Sequence, residues 1–191
     1  PIHSSAASDV YKRQPFPFIP GGEVAGEISK IGNGVEGFKE GDRVIAMTGN
    51  GGMAEKVAVF ASTLFKLPDS MSFAEGAAFP LNYGTTIHGL KQRAKLQAGE
   101  TLMVSGAAGG LGITAIHLGK AMGAKVIATA SSEEKLEICK KEGADEVVLY
   151  PRDMDKDKQK ELSNNLKAVA PNGIDVIYDI VGGDYAEPSL R

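Results

Sequence analysis

Residues 104–112 read VSGAAGGLG, four glycines among nine residues. They close the apolar run TLMVS and open GGLGITAIHLGKAMG, in which apolar residues recur at helical spacing. A glycine-rich turn between a strand and a helix limits the available folds more than any other feature of this chain. In a βαβ unit, such a turn lets backbone approach a pyrophosphate, and the helix start offers it free N–H groups and a positive dipole end. The run Gly106-Ala107-Ala108-Gly109-Gly110-Leu111-Gly112 fits that dinucleotide-binding pattern. On this reading Gly109 allows the tight turn and Gly110 leaves space for the pyrophosphate against backbone. Gly112 lets helix and strand pack closely. Leu111, Ala115, Leu118 and Met122 share the face expected to meet a sheet.

The neighbouring segments keep the same rhythm. KVIATA, DEVVLY and IDVIYDIV read as further strands, separated by SEEKLEICKKEG and DKDKQKELSNNLKAVA as helices. Apolar strands alternating with helices of this length predict βαβ units, a parallel sheet and helices on both its faces. The charge run over residues 153–161 is the solvated face of its helix. Residues 15–70 differ. EVAGEISKIG, DRVIAM and MAEKVAVF read as strands split by glycine-rich turns, which predicts a small, mostly antiparallel β unit. SFAEGAAFPLNYGTTIHGLKQRA follows as one or two helices, with Ser72 as N-cap.

A site for NAD usually carries an acidic residue at the end of the second strand, roughly 20 residues after the glycines, to bind the ribose 2′-OH. Here that place reads Ala130-Ser131-Ser132, and Lys135 follows one helical turn later. Small hydroxyls and a cation suit a 2′-phosphate, which a carboxylate repels, so the pattern favours NADP(H). A plainer reading makes Ser131 and Glu134 a capping box and Lys135 a surface lysine. The two are compatible, because a capped helix start is also an anion site.

Composition narrows the function classes. The formal charge of −3 is mild and not concentrated in one block, so nothing favours nucleic acid or an anionic membrane as partner. No apolar run approaches the roughly 20 residues of a membrane helix, and no signal peptide is recognisable. The single cysteine, Cys139, cannot form an internal disulfide, which makes the cytoplasm the default compartment. It shares a helical face with Leu136 and is expected to be a small buried apolar residue. Residues 1–14, PIHSSAASDVYKRQ, have no clear period and read as a non-native scar. The chain stops at SLR as a helix begins. It therefore reads as a fragment truncated at both ends, inactive by itself.

Four stretches carry a family resemblance: PFIPGGEVAGEISKIGNGVEGFKEGDRVIAM, AAFPLNYGTTIHGL, VSGAAGGLGITAIHLGKAMGAKVIATASSEEKLE and VIYDIVGGDYAEPSL. Together they span nearly all of residues 15–191. They resemble the medium-chain dehydrogenase/reductase superfamily and, more narrowly, its zinc-free NADPH:quinone oxidoreductases, the zeta-crystallin-like branch. The resemblance implies an α/β fold. Residues 15–88 would form a partial GroES-like, mostly β catalytic domain. Residues 89–191 would form part of a Rossmann-type, doubly wound parallel sheet that binds NADP(H). It further implies hydride transfer from NADPH to a small-molecule quinone or α,β-unsaturated carbonyl, usually in a homodimer. By this resemblance Ala108, Gly109, Gly110 and Leu111 bracket the pyrophosphate. Ser131, Lys135 and Tyr150 surround the adenosine 2′-phosphate, and Thr85 and Gly182 lie toward the nicotinamide. An aromatic that ends a strand, as Tyr150 does, is often a packing residue.

Where zinc-dependent relatives read Gly-His-Glu, this chain reads Gly21-Gly22-Glu23, and glycine has no ligand atom. Residues 79–86 hold neither Cys nor His, and the four-cysteine zinc lobe is missing. His3, His88 and His117 form no ligand spacing. Tetrahedral zinc takes about three or four such ligands, so no metal is expected, and Glu23 reads as a structural carboxylate. Quinones and enones suit a site without a Lewis acid, because conjugation spreads the developing charge while the protein supplies orientation. No Ser-His-Asp or Cys-His nucleophile is present, and no catalytic residue is assigned. Asn82 and Tyr83 either hydrogen-bond substrate or cofactor or, more simply, order the start of their helix. Two other functions stay open: an enoyl-thioester reductase on the same scaffold, for instance acting on acyl-CoA, and a non-catalytic NADPH-binding protein with a structural or interaction role.

Overall fold

The computed structural model describes residues 17–190. Residues 1–14, and His3 with them, lie outside that range. The chain divides into two compact units between Pro80 and Leu81. Among the described residues, no helix is long and apolar enough to cross a membrane.

In the first unit, β1 (Glu23–Glu27), β2 (Arg43–Met47) and β3 (Leu64–Lys66) form an antiparallel sheet in the order β1-β2-β3. Glu23 pairs with Met47, and Ala46 pairs with both Val24 and Leu64. Central β2 carries the core, with Val44, Ile45 and Ala46 buried alongside Leu67. The third strand lies downstream of MAEKVAVF, which the sequence predicts as a strand. Residues 53–60 form none, and Met53, Val57 and Phe60 are exposed. Apolar alternation does not make a strand unless a neighbouring backbone takes up its N–H and C=O groups. Among the described residues, no ladder reaches this segment. Arg43 ties the sheet to the chain beyond it. Its guanidinium donates to Pro68 O at 3.0 Å and Met71 O at 2.6 Å, and lies 4.7 Å from the centre of the Phe73 ring.

Helix α1 (Phe73–Ile87) opens with the expected Ser72 cap. The Glu75 N–H donates to Ser72 Oγ at 3.2 Å, and the Ser72 N–H donates to Glu75 Oε2 at 2.8 Å, a reciprocal capping box. Gly76 lets this first turn press onto the sheet, since a Cβ there would stand 2.7 Å from Leu67 Cδ1 and 2.8 Å from Ile45 Cγ2. A π-helical turn over His88–Arg93 continues the helix.

In the second unit, β4 (Thr101–Ser105), β5 (Lys125–Ala130), β6 (Glu146–Leu149) and β7 (Val176–Asp179) form a parallel sheet in the order β6-β5-β4-β7. Between them run α2 (Gly110–Ala121), α3 (Glu133–Lys141) and α4 (Lys156–Val169); a 3-10 turn at Gly183–Tyr185 leads into the short α5 (Ala186–Ser189). The alternation that the sequence predicts is present. Leu102, Val104, Val126 and Ala128 enter one core cluster with Ala115, Ile116 and Cys139. Met103 and Ile127 enter a second, with Val148, Leu162 and Leu166. Successive strand residues point to opposite faces, so α2 and α3 cover one face and α4 the other. Cys139 is buried as expected, and burial pushes its thiol up.

The buried stripe of α2 is turned by one residue from its predicted position. Gly112, Ala115, Ile116 and Gly119 are buried, whereas Leu111, Leu118 and Met122 are only partly so. The two glycines account for this. A Cβ on Gly112 would stand 2.4 Å from Ala107 O, and one on Gly119 would stand 2.7 Å from Leu102 Cδ2. The face without side chains is the one that lets the helix lie closest to the sheet.

Candidate cofactor site

A parallel sheet sends every strand's C-terminus to one edge. From β4 the chain proceeds through β5 to β6 on one side, then returns to β7 on the other. The crevice outside the ends of β4 and β7 is thus the topological switch point, where open α/β sheets bind ligands. The loops leaving these two strands are packed together: a Cβ on Gly106 would lie 3.1 Å from Val181 Cγ2. Asp179 joins them. Its carboxylate accepts the Val181 and Gly182 N–H groups, each at 3.0 Å, and the Ser105 hydroxyl. Ser105 Oγ in turn accepts the Ile180 N–H at 3.2 Å.

Partial burial pushes the Asp179 carboxyl up, but the hydrogen bonds from Gly182, Ser105 and Val181 outweigh it and hold the group below its ordinary range. A carboxylate made more acidic by folding contributes its stability in full above the unfolded value of about 3.9 and gives it up as pH falls below that. Acid unfolding of Asp179→Asn is therefore expected to depend less steeply on pH below about 4 than acid unfolding of the parent protein. Identical slopes, followed by circular dichroism, would show that Asp179 gains nothing from these bonds.

Within the glycine turn, the left-handed residue is Gly106, at φ +67°. Gly109, expected to allow the tight turn, is extended at φ −86° and ψ 172°. It is the N-cap of α2 and supplies no side-chain bond to it. Ala108 packs partly onto the first core cluster. The Gly110 position holds a contact that the sequence does not reveal. A Cβ there would stand 3.1 Å from Asn82 Oδ1 and 3.3 Å from Asn82 Nδ2. The Asn82 carboxamide from α1 therefore occupies the side of Gly110 that the sequence reading leaves to a pyrophosphate. The next residue of α1, Tyr83, meets His117 Nδ1 through its hydroxyl at 2.8 Å, and His117 Nε2 meets Glu142 Oε2 at 2.8 Å. This chain of three side chains fastens α1 to α2 and to the residue that ends α3.

At the neighbouring strand ends, Ala130 lies opposite Leu149, and the Tyr150 N–H donates to Ala130 O at 3.0 Å. Ser131 and Tyr150 thus leave adjacent strands side by side. The cap of α3 is not the box expected from Ser131 and Glu134. Ser132, in extended conformation, is the N-cap, and its Oγ accepts the Lys135 N–H at 3.4 Å. Ser132 directly precedes the first helical residue, which gives it the capping place and leaves the Ser131 hydroxyl out of the cap. The Lys135 side chain is exposed. Tyr150 packs its ring on the second core cluster, 5.0 Å from the Tyr185 ring, and burial pushes its phenol up. Gly182 has φ +67° and open space where a Cβ would be. Thr85 is exposed on α1, one turn from Asn82, while the adjacent Thr86 is buried.

The residues present fit a dinucleotide and do not fit zinc. The first turn of α2 has no side-chain cap, and its glycines bring no side chain of their own against its N–H groups. For zinc, Gly22 offers no ligand atom, and Gly21 could take no larger residue, since a Cβ would stand 2.8 Å from Met53 N. His88 Nδ1 is 2.6 Å from Gln92 Oε1, and His117 is held between Tyr83 and Glu142. Among the described residues, no three His, Cys, Asp or Glu side chains gather in a way that could hold a metal ion.

Two family models match the chain: the alcohol dehydrogenase GroES-like domain over residues 3–69, and zinc-binding dehydrogenase over residues 110–191. The quinone oxidoreductase-like protein 2 homolog of Nematostella vectensis is 41% identical over 184 residues, which cover 95% of this chain and 48% of that protein. Escherichia coli quinone oxidoreductase, solved in complex with NADPH, superposes with a TM-score of 0.82 at 33% identity, covering 99% of this chain and 56% of the other. CurK enoyl reductase superposes with a TM-score of 0.81 at 29% identity, over 98% and 54% of the two chains. The chain thus spans about half the length of the curated relatives it matches. The likeness runs through both units and includes the glycine turn, and the chain belongs to the medium-chain dehydrogenase/reductase superfamily, in its quinone oxidoreductase branch.

Proposed function

We propose that the protein is an oxidoreductase that binds NADP(H) in its second unit and, without zinc, reduces a quinone or another α,β-unsaturated carbonyl. One observation carries the reading: the glycine turn opens at the switch point while the end of β5 offers Ser131 and Lys135 and no carboxylate at the ribose position. The Escherichia coli relative solved with NADPH supports it. When bound, the nicotinamide supplies the hydride. The chain's own residues bind and orient. Ala108, Gly109, Gly110 and Leu111 hold the pyrophosphate through backbone at the positive end of α2. Ser131 and Lys135 take the 2′-phosphate, with Tyr150 walling that end, and Thr85 and Gly182 face the nicotinamide. The Ser105–Asp179 bonds keep the two loops at the crevice in place. A conjugated acceptor spreads its developing charge, so orientation and exclusion of water serve in place of a Lewis acid.

A second reading, reduction of an enoyl thioester, is favoured by the likeness to CurK enoyl reductase. Steady-state turnover separates the two. The full-length protein, rather than these residues alone, is expected to oxidise NADPH with a simple quinone, to carry no stoichiometric zinc and to keep its rate in chelator. Turnover with crotonyl-CoA and none with quinones would favour the second reading. One zinc per chain, lost together with activity, would overturn the zinc-free assignment.

A further inference from the structure

We propose that Ser105 and Asp179 are positioning residues for the nicotinamide half of the cofactor: together they take up three successive backbone N–H groups and so fix residues 180–182 at the crevice. The proposal rests on the reading that this loop, through Gly182, faces the nicotinamide. Ser105 ends β4 and Asp179 ends β7, side by side in register. Ser105 Oγ accepts the Ile180 N–H at 3.2 Å. One carboxylate oxygen, Asp179 Oδ1, accepts both the Val181 and the Gly182 N–H at 3.0 Å, and the Ser105 hydroxyl donates to that same oxygen. A hydroxyl can donate and accept at once, so Ser105 aims the carboxylate and holds the start of the loop together.

The result is a turn whose N–H groups point inward. In a trans peptide the carbonyl points opposite to the N–H, so the Ile180 and Val181 oxygens are turned away from the strand ends. These oxygens are acceptors, and the nicotinamide riboside carries donors in its ribose hydroxyls and its carboxamide. Ser105 is 4% exposed, whereas Ile180 and Val181 are 40% and 39% exposed, so a buried pair supports an exposed loop. Gly182 completes the turn at φ 67° and ψ −160°, a region open in practice only to glycine and kept only where the surroundings impose it. The far end of the loop is fastened independently. The Tyr185 hydroxyl donates to Pro151 O at 2.9 Å and to Arg152 O at 2.5 Å, and its ring lies against Tyr150. With Tyr185 in place, loss of the Ser105–Asp179 pair loosens residues 180–182 while the loop stays tied beside Tyr150. The effect therefore falls on the nicotinamide end of the cofactor rather than on its 2′-phosphate end.

Titration of the full-length protein with NADPH and with adenosine 2′,5′-bisphosphate, which lacks the nicotinamide half, tests this alongside turnover with whichever of a simple quinone and crotonyl-CoA the parent reduces. Asp179→Asn keeps the size of the side chain but removes the charge that favours its three donors. It is expected to lower kcat at saturating NADPH about 10-fold or more, to weaken NADPH about 3- to 10-fold, and to leave the bisphosphate unchanged. Ser105→Ala, which keeps the carboxylate, is expected to give the same pattern to a smaller extent. Equal losses for NADPH and the bisphosphate in both variants would overturn the assignment in favour of a purely structural role. Unchanged kcat and NADPH affinity in both variants would also overturn it, while the parent's binding upholds the cofactor reading. A parent protein that binds neither probe would overturn the cofactor reading and this assignment together.

Discussion

Replacing Gly112 by valine is expected to destabilise the second unit by about 3 kcal/mol or more and to abolish dinucleotide binding. A Cβ at this position would stand 2.4 Å from Ala107 O and 2.5 Å from Ala107 C and Cα. All three are backbone atoms of the glycine turn, so no rotamer change relieves the clash. Helix α2 would have to lift from the sheet, parting Ala115 and Ile116 from the strand residues they now cover. Gly110→Ala makes the useful contrast. Its new Cβ meets the tip of a side chain, Asn82, which can turn aside, so the cost to folding is far smaller. Urea unfolding decides the matter: a Gly112→Val midpoint within error of the parent would mean that the turn tolerates a side chain and that close helix–sheet packing does not shape it.

Lys135→Ala is expected to weaken NADPH by about 1.5–3 kcal/mol, roughly 10- to 100-fold, and NADH hardly at all. The ammonium group is exposed one turn into α3, while the Ser131 hydroxyl is left out of the helix cap that Ser132 forms. A charge-assisted bond to a phosphate dianion is lost only for the cofactor that carries one. Calorimetric titration with both cofactors is the measurement, and an equal loss for the two would remove Lys135 from the 2′-phosphate.

The second unit was legible because each strand, covered on both faces, reads as a short unbroken apolar run such as TLMVS or KVIATA, and because its helices are of ordinary crossover length. The cap at Ser72 was legible because its partner, Glu75, lies three residues away. What escaped was whatever depends on partners distant in sequence. MAEKVAVF alternates like a strand, but the strand beside β2 is Leu64–Lys66; alternation carries no information about which segment finds a neighbour. The buried stripe of α2 was misplaced because a scale of apolar side chains gives no weight to Gly112 and Gly119, the residues that face the sheet most closely. Adjacent serines at 131 and 132 are equivalent caps by residue type, and only the position of the first helical residue distinguishes them. The Ser105–Asp179 bond joins residues 74 apart. It had one available signal, since both residues end strands on the carboxyl edge of the sheet.

The buried glycines of α2 also bear on how this sequence can vary. At Gly112 and Gly119 the helix rests on the sheet with nothing between backbone and neighbour, so every coding change there adds bulk where none fits. The same turn that would meet the ligand is the one that the fold cannot alter. Variants surviving a screen for folding alone would keep these glycines as strictly as variants surviving a screen for ligand binding. Invariance at 112 or 119 therefore says little about what the protein binds. An exposed position such as Lys135, which the scaffold could give up, is where a change of ligand is expected to leave its trace.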